Sequence, residues 1–248
     1  QPPAEEILDK YLKAIGGTER LAGFKSYVAK GTSVGFGGFG GGGRVQIFGK
    51  FPDQRTTLIN FPQSPERGDS LRVYNGREGW LETPLTVLGE YPLTGGELDG
   101  ARLDAQLAFP GQIKQVLTNL RVSLPVAISD LPGPSSQTSK DVSMVAIGQD
   151  RLVNVVQGTG PRGILATLYF DKESGLLVRV VRYGRSPIGR VPTQVDYGDY
   201  REVGGIKIPF RIIFGWMDGR DAVQLTEVQT NVPVDAARFE LPAPPKAR

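Results

Sequence analysis

Between Gly163 and Asn231 the chain can be little other than a succession of antiparallel β-strands. The segments Ile164–Phe170, Leu176–Tyr183, Arg190–Val203, Ile206–Trp216 and Asp221–Asn231 are rich in Val, Ile, Tyr and Phe. Their corners fall at Asp171–Gly175, Gly204-Gly205 and Asp218-Gly219, residue types that favour tight turns. The cleanest alternation lies in Ile206–Trp216. Side chains on a strand point to opposite faces with period two, so Ile206, Ile208, Phe210, Ile212, Phe214 and Trp216 share one face. Lys207, Pro209, Arg211 and Ile213 take the other. A face that apolar must be covered by something.

The same texture runs back toward the N-terminus. The chain becomes extended from Ser26, Val45–Phe51 and Gln54–Phe61 read as strands meeting at Pro52-Asp53, and Pro62–Asp69 reads as a loop. Leu71–Tyr74 and Trp80–Thr83 make a hairpin around Asn75-Gly76. After a Pro/Ser/Gly loop over Leu131–Lys140, Asp141–Ile147 and Arg151–Gln157 form a further hairpin. Helical spacing interrupts this pattern in two places. Ala4–Ile15 carries Ile7, Leu8, Tyr11, Leu12 and Ile15 on one side, with Glu5 and Glu6 in its first turn and Gly16-Gly17 at its end. Thr18 can cap a short turn through Ala22. Later, Glu97–Ala108 and Gln112–Leu120 present broad apolar faces, which predicts a helical pair broken at Phe109-Pro110-Gly111.

About eleven or twelve strands joined by hairpins predict a mainly β fold, a curled antiparallel sheet forming an incomplete β-barrel. The N-terminal helix and the inserted helical pair cover its concave side. No Pro/Gly linker separates differently patterned halves, so residues 1–248 read as a single domain. Such a sheet either fills its interior with side chains or leaves a cavity for an apolar ligand, and the pattern is compatible with both. The candidate ligand-lining residues are Leu8, Leu12 and Ile15 on the first helix, with Val45, Ile47 and Trp80 on the early strands. Ile208, Phe210, Ile212, Phe214 and Trp216 complete the set from the most regular strand. Both tryptophans also suit packing in a core or at its rim.

The residues that are missing restrict the chemistry. There is no Cys, which removes disulfides, thiolate metal sites and c-type haem attachment, and no His, which removes the commonest general base. Asp196 and Asp199 lie three apart on a strand and point to opposite faces, and no other spacing supports carboxylate, Ser-Lys or metal chemistry. The chain therefore reads as a non-enzyme without a cofactor. A net charge of +3, scattered along the sequence, does not suggest nucleic acid. No apolar run approaches the ~18 residues of a membrane-spanning helix. Gly35, Gly37 and Gly40 spell G-x-G-x-x-G, but a strand, Arg44–Phe48, follows where a dinucleotide site needs a helix. The glycines read instead as a hairpin tip, with Phe36 and Phe39 either folded back or free to enter a membrane surface or partner. The opening Gln1-Pro2-Pro3 suggests a processed piece of something longer.

Ala4-Glu-Glu-Ile-Leu-Asp-Lys-Tyr-Leu-Lys-Ala-Ile-Gly-Gly17, followed by a strand near Ala29–Thr32, resembles the opening of the LolA/LolB-like superfamily of outer-membrane lipoprotein-sorting proteins. Val73-Tyr-Asn-Gly-Arg-Glu-Gly-Trp80 resembles its central hairpin. Asp171–Gly175, Val195–Tyr200, Gly204–Phe210 and Phe239–Pro242 resemble its C-terminal strands. The chain is also similar to the C-terminal region attached to some reaction-centre-type cytochrome c proteins. The resemblance implies a helical lid over an apolar cavity that accepts acyl chains in the periplasm. The function it implies is an extracytoplasmic carrier or binding module for a lipid-like or lipoprotein acyl ligand. The alternative is an accessory domain that docks on a c-type cytochrome and holds no small molecule.

Overall fold

The computed structural model describes residues 1–35, 42–83, 89–129, 150–187, 189–216 and 219–242. Residues 36–41 of the expected glycine tip, the loop over Leu131–Lys140 and the strand Asp141–Ile147 lie outside them. In chain order the elements begin with helices α1 (Ala4–Ala14) and α2 (Thr18–Ala22). Strands β1 (Ser26–Gly35), β2 (Gly43–Lys50), β3 (Gln54–Asn60), β4 (Ser70–Tyr74), β5 (Gly79–Glu82) and β6 (Glu90–Pro92) follow. Helices α3 (Gly95–Leu107) and α4 (Ile113–Val116) precede β7 (Thr118–Ile128), β8 (Arg151–Thr159), β9 (Leu165–Asp171) and β10 (Leu177–Ser186). The chain ends with β11 (Gly189–Val203), β12 (Ile206–Trp216), β13 (Gly219–Thr230) and a 3₁₀ turn, Ala236–Phe239.

All these strands join one 13-stranded sheet in the order β6-β5-β4-β3-β2-β1-β13-β12-β11-β10-β9-β8-β7. Every pairing is antiparallel, and the edges β6 and β7 do not pair with each other, so the curled sheet stays open. Each half is a meander of hairpins, and β1 and β13 join the halves at the centre, with Ala29 opposite Val228. Antiparallel partners directly opposite share a face. One face therefore carries Tyr27, Ala29, Ile47, Arg55, Arg72, Val228, Ile212, Tyr197, Arg182 and Val156. The helices lie on this face. From α1, Ile7, Leu8, Tyr11 and Leu12 are buried there, and Tyr11 stacks at a tilt on Phe170 with ring centroids 5.3 Å apart.

The second helix of the expected pair is shorter than its apolar spacing suggests. It stops at Val116, Leu117 is already extended (φ −104°, ψ 129°), and Leu120 belongs to β7. Apolar side chains at 113, 116, 117 and 120 can reach one core from a helix or from a turn followed by a strand, so the spacing did not discriminate. Pairing with β8 supplies the backbone hydrogen bonds, and β7 becomes an edge strand. Together with the short β6, this raises the strand number above the eleven or twelve anticipated.

The opposite face has cover of its own. Ile128, Val153, Val155 and Val178 form a separate buried cluster at one end. At the other end the register places Phe48, Thr56, Val73 and Trp80 in one row. There the Thr56 hydroxyl donates to the Arg238 carbonyl at 2.6 Å, and the Arg238 guanidinium lies 4.7 Å from the Phe48 ring centroid.

Candidate functional site

A cavity of about 100 Å³ lies between the helices and the sheet. Its floor is Ala29, Ile47, Ile208, Ile212, Leu225 and Val228, and its roof is Tyr11, Leu21, Phe24, Leu107, Ala108 and Pro110. Strand alternation supplies the floor, because every second side chain of β1, β2, β12 and β13 must point under the helices. The roof is held from several directions. Lys114 of α4 pairs with Asp9 at 2.6 Å and Glu5 at 2.9 Å on α1. The Gln112 side chain donates to the carbonyls of Pro52 (2.6 Å) and Gln106 (2.9 Å). The Lys207 amide donates to the Ile15 carbonyl at 2.8 Å, fastening the end of α1 to β12.

Of the residues expected to meet a ligand, Ile47, Ile208 and Ile212 line this space. Leu8, Leu12, Ile15, Val45 and Phe210 are buried in the core around it, and Phe214 packs against that core half-buried. Trp80 is a correction. Its partner Val73 places it on the opposite face, where it is buried away from the cavity with its indole N–H unpaired among the described residues. Trp216 ends β12 opposite Gly219, and its side chain is not among those described.

The apolar reading missed a polar side to the site. Tyr27, Arg55, Tyr197 and Tyr200 also line the cavity. Tyr200 donates to the Leu177 carbonyl at 2.7 Å. Burial raises the pKa of Tyr197 well above the usual phenol range, with the Asp104 charge adding to the effect, so the hydroxyl stays protonated. Tyr27 is raised by burial as well, against the opposing influence of Arg55. Next to these, Arg182 grips Asp104 of α3 through two hydrogen bonds, Nε to Oδ1 at 2.9 Å and Nη2 to Oδ2 at 3.0 Å. Gly100, one helical turn before Asp104, makes room for this pair, since a Cβ there would come within 2.3 Å of Arg182 Nη1. Arg72 Nη2 stands 3.9 Å from the same Asp104 Oδ2, and Arg55 Nη1 reaches only the Asp104 carbonyl, at 3.4 Å. Burial lowers the Arg72 pKa, and Arg182 and Arg55 push the same way against Asp104. The available signal was an arginine at an inward position of a strand, such as Arg182 two residues after Val180.

This arrangement can hold a small apolar group beside a cationic and hydroxylic wall. Among the described residues no group of three or more His, Cys, Asp or Glu side chains could hold a metal ion.

No family model matches the sequence, and no curated protein matches it. Solved structures do. A LolA superfamily protein from Nitrosomonas europaea aligns over 97% of this chain and 99% of its own, at 15% identity and a TM-score of 0.51. A DUF1329 family protein from Desulfovibrio piger aligns over 97% and 98%, at 12% identity and a TM-score of 0.53. A domain described as an outer membrane lipoprotein-sorting protein, from Vibrio parahaemolyticus, aligns over 94% and 97%, at 10% identity and a TM-score of 0.51. At these identities the likeness is one of architecture, and it spans nearly the whole chain: the protein has the LolA-like fold.

Proposed function

We propose that this chain is a non-enzymatic carrier or binding module for a lipid-like or acyl ligand, working outside the cytoplasm. The observation that carries the reading is the cavity between the helices and the sheet. The likeness to the Vibrio lipoprotein-sorting domain supports the ligand class and the compartment. Among the described residues no helix is long and apolar enough to cross a membrane.

The volume of the cavity sets the manner of binding. An engineered cavity of about 150 Å³ admits one benzene ring, so a smaller one takes only a few methylenes. At ~0.8 kcal/mol per buried CH₂, four of them contribute about 3 kcal/mol, too little for a stable complex. A long chain must therefore displace the roof, and binding couples to movement of α1 and α2 against β12.

The test is a melting experiment with dodecanoate and a lysolipid below their micellar concentrations, beside the variant Ala29→Ile. Ligand at ~100 times its dissociation constant should stabilise the native chain by about 2.7 kcal/mol, a melting shift of a few degrees. Ala29→Ile pushes extra carbons into the cavity and should leave the free protein at least nearly as stable while reducing the shift. Hydrogen exchange in α1 should quicken on binding while exchange in β1 and β13 does not. Absence of any shift with either amphiphile would sink the carrier reading.

A further inference from the structure

The guanidinium groups under the helices outnumber the carboxylates that could neutralise them. Arg55, Arg72 and Arg182 converge on Asp104, and Arg182 occupies both of its oxygens. Glu97, the next acid to act on Arg72, already accepts from the Tyr91 hydroxyl at 3.1 Å. Arg55 is left with one long hydrogen bond to a backbone carbonyl, although a guanidinium carries five N–H donors in a rigid fork. Among the described residues it is the one arginine in the wall of the cavity, whose lining also includes the exposed Lys207. Beside it, the hydroxyls of Tyr27 and Tyr197 have no hydrogen-bond partner among the described residues, unlike Tyr200. Charges taken out of water are ordinarily paired, because an unpaired one loses its hydration without compensation. Here Arg55 is half-buried, feels the charge of Asp104 without an ion pair to it, and lines a space that a ligand can enter.

We propose that the cavity recognises the anionic head group of an amphiphile, a carboxylate or phosphate carried on an apolar chain, with Arg55 as its anchor and Tyr27 and Tyr197 as further donors. The inference rests on the carrier reading and refines its ligand class. Charge and shape agree with it. The fork of Arg55 matches the paired oxygens of such a group, and Ile208, Ile212 and Leu225 stand on the same floor to take the first methylenes. Arg72 and Arg182 add positive potential from the side, whereas Asp104, held by Arg182, opposes it only in part. The cavity as it stands has room for the head and the start of a chain.

The decisive comparison uses the full chain at pH 8 with dodecanoate, 1-dodecanol and inorganic phosphate as probes. Binding is read by calorimetry for the wild type, Arg55→Met, Arg55→Lys and the double variant Tyr27→Phe/Tyr197→Phe. In the wild type, dodecanoate should bind about tenfold to a hundredfold more tightly than dodecanol, the range expected of a charge-assisted hydrogen bond. Arg55→Met should cut the ratio to the several-fold that the tyrosines supply, without weakening dodecanol, and Arg55→Lys should restore part of the loss. If Arg55→Met does not fold, the double tyrosine variant serves, with a loss of several-fold confined to dodecanoate. Equal binding of dodecanoate and dodecanol to the wild type would overturn the head-group inference and leave the carrier reading standing. Phosphate binding as tightly as dodecanoate would overturn it in favour of a free-anion site. Failure of both chain probes to bind would end both readings.

Discussion

At the scale of single residues, the buried carboxylate of Asp221 is the sharpest case. It is 5% exposed, opposite Phe214 on the helix-covered face, and accepts from the Ser33 hydroxyl at 3.0 Å. Burial outweighs that hydrogen bond and moves its pKa from the ordinary 3.8 to about 6. An acid whose folded pKa lies above its unfolded one binds its proton more firmly in the native state. Its contribution to stability is therefore best below about pH 4, falls as pH rises toward about 6 and is flat beyond. At ~1.4 kcal/mol per pKa unit, the ionised form costs about 3 kcal/mol at neutral pH. Asp221→Asn should thus be more stable than the wild type at pH 7.5, with the advantage gone by pH 4. Urea titrations giving parallel pH profiles for the two proteins would refute this. Such residues are poorly legible in sequence. Ile47, Ile208 and Ile212 stand out by alternation, whereas Asp221, Arg55 and Arg182 look like solvent-facing charges. Only the register turns them inward, and Asp104, the partner of Arg182, comes from a helix 78 residues earlier in the chain.

At the scale of elements, α3 is held close to β10 because Gly96 has no side chain. A Cβ there would sit 2.4 Å from the carbonyl oxygen of Arg185 and 2.5 Å from its nitrogen, both backbone atoms that cannot swing aside. In an exposed helix, Gly→Ala typically stabilises by as much as about 1 kcal/mol. At this position the sign should reverse, with Gly96→Ala costing about 1–3 kcal/mol as α3 is levered off the strand. The displacement should also loosen the Arg182–Asp104 pair. An unchanged or raised denaturation midpoint for Gly96→Ala would show that the contact does not hold the helix. The elements themselves were unevenly legible. Residues at helical spacing with acids in the first turn and a Gly-Gly stop made α1 plain, and Gly or Asp-Gly corners marked β9 to β13. The step from α4 to β7 was hidden, because apolar residues at 113, 116, 117 and 120 can meet one core from a continued helix or from a turn followed by a strand. The three-residue β6 is too short to show any period at all.

At the scale of the whole molecule, the open sheet leaves its long edge strand β7 exposed, with Leu124 at 78% and Val126 at 41% exposure. Pro125 lies between them and removes an N–H from that edge, which discourages pairing with another chain. The curled sheet and its helical cover were legible in the sequence, since every strand signal sat next to a hairpin turn. The strand order at the centre was not. Nothing in a meander pattern says that the first strand will lie against the last, yet β1 and β13 are neighbours, with Ser33 bonded to Asp221 across 188 positions of sequence.

That central seam governs the order of events as the chain folds. Closing so long a loop costs entropy before any contact repays it, so pairing of β1 with β13 belongs late on the folding path, after the local hairpins. Until then there are two half-sheets, and Ala29 and Val228, neighbours on the cavity floor, stand on different ones. Pulsed hydrogen exchange during refolding should protect β9–β10 before β1 and β13, and simultaneous protection would contradict this order. A ribosome or a translocation channel releasing this chain from its N-terminus therefore delivers the helical cover and the first half of the floor, β1 and β2, well before β12 and β13 complete it. The binding site comes into existence only when the last strand has arrived.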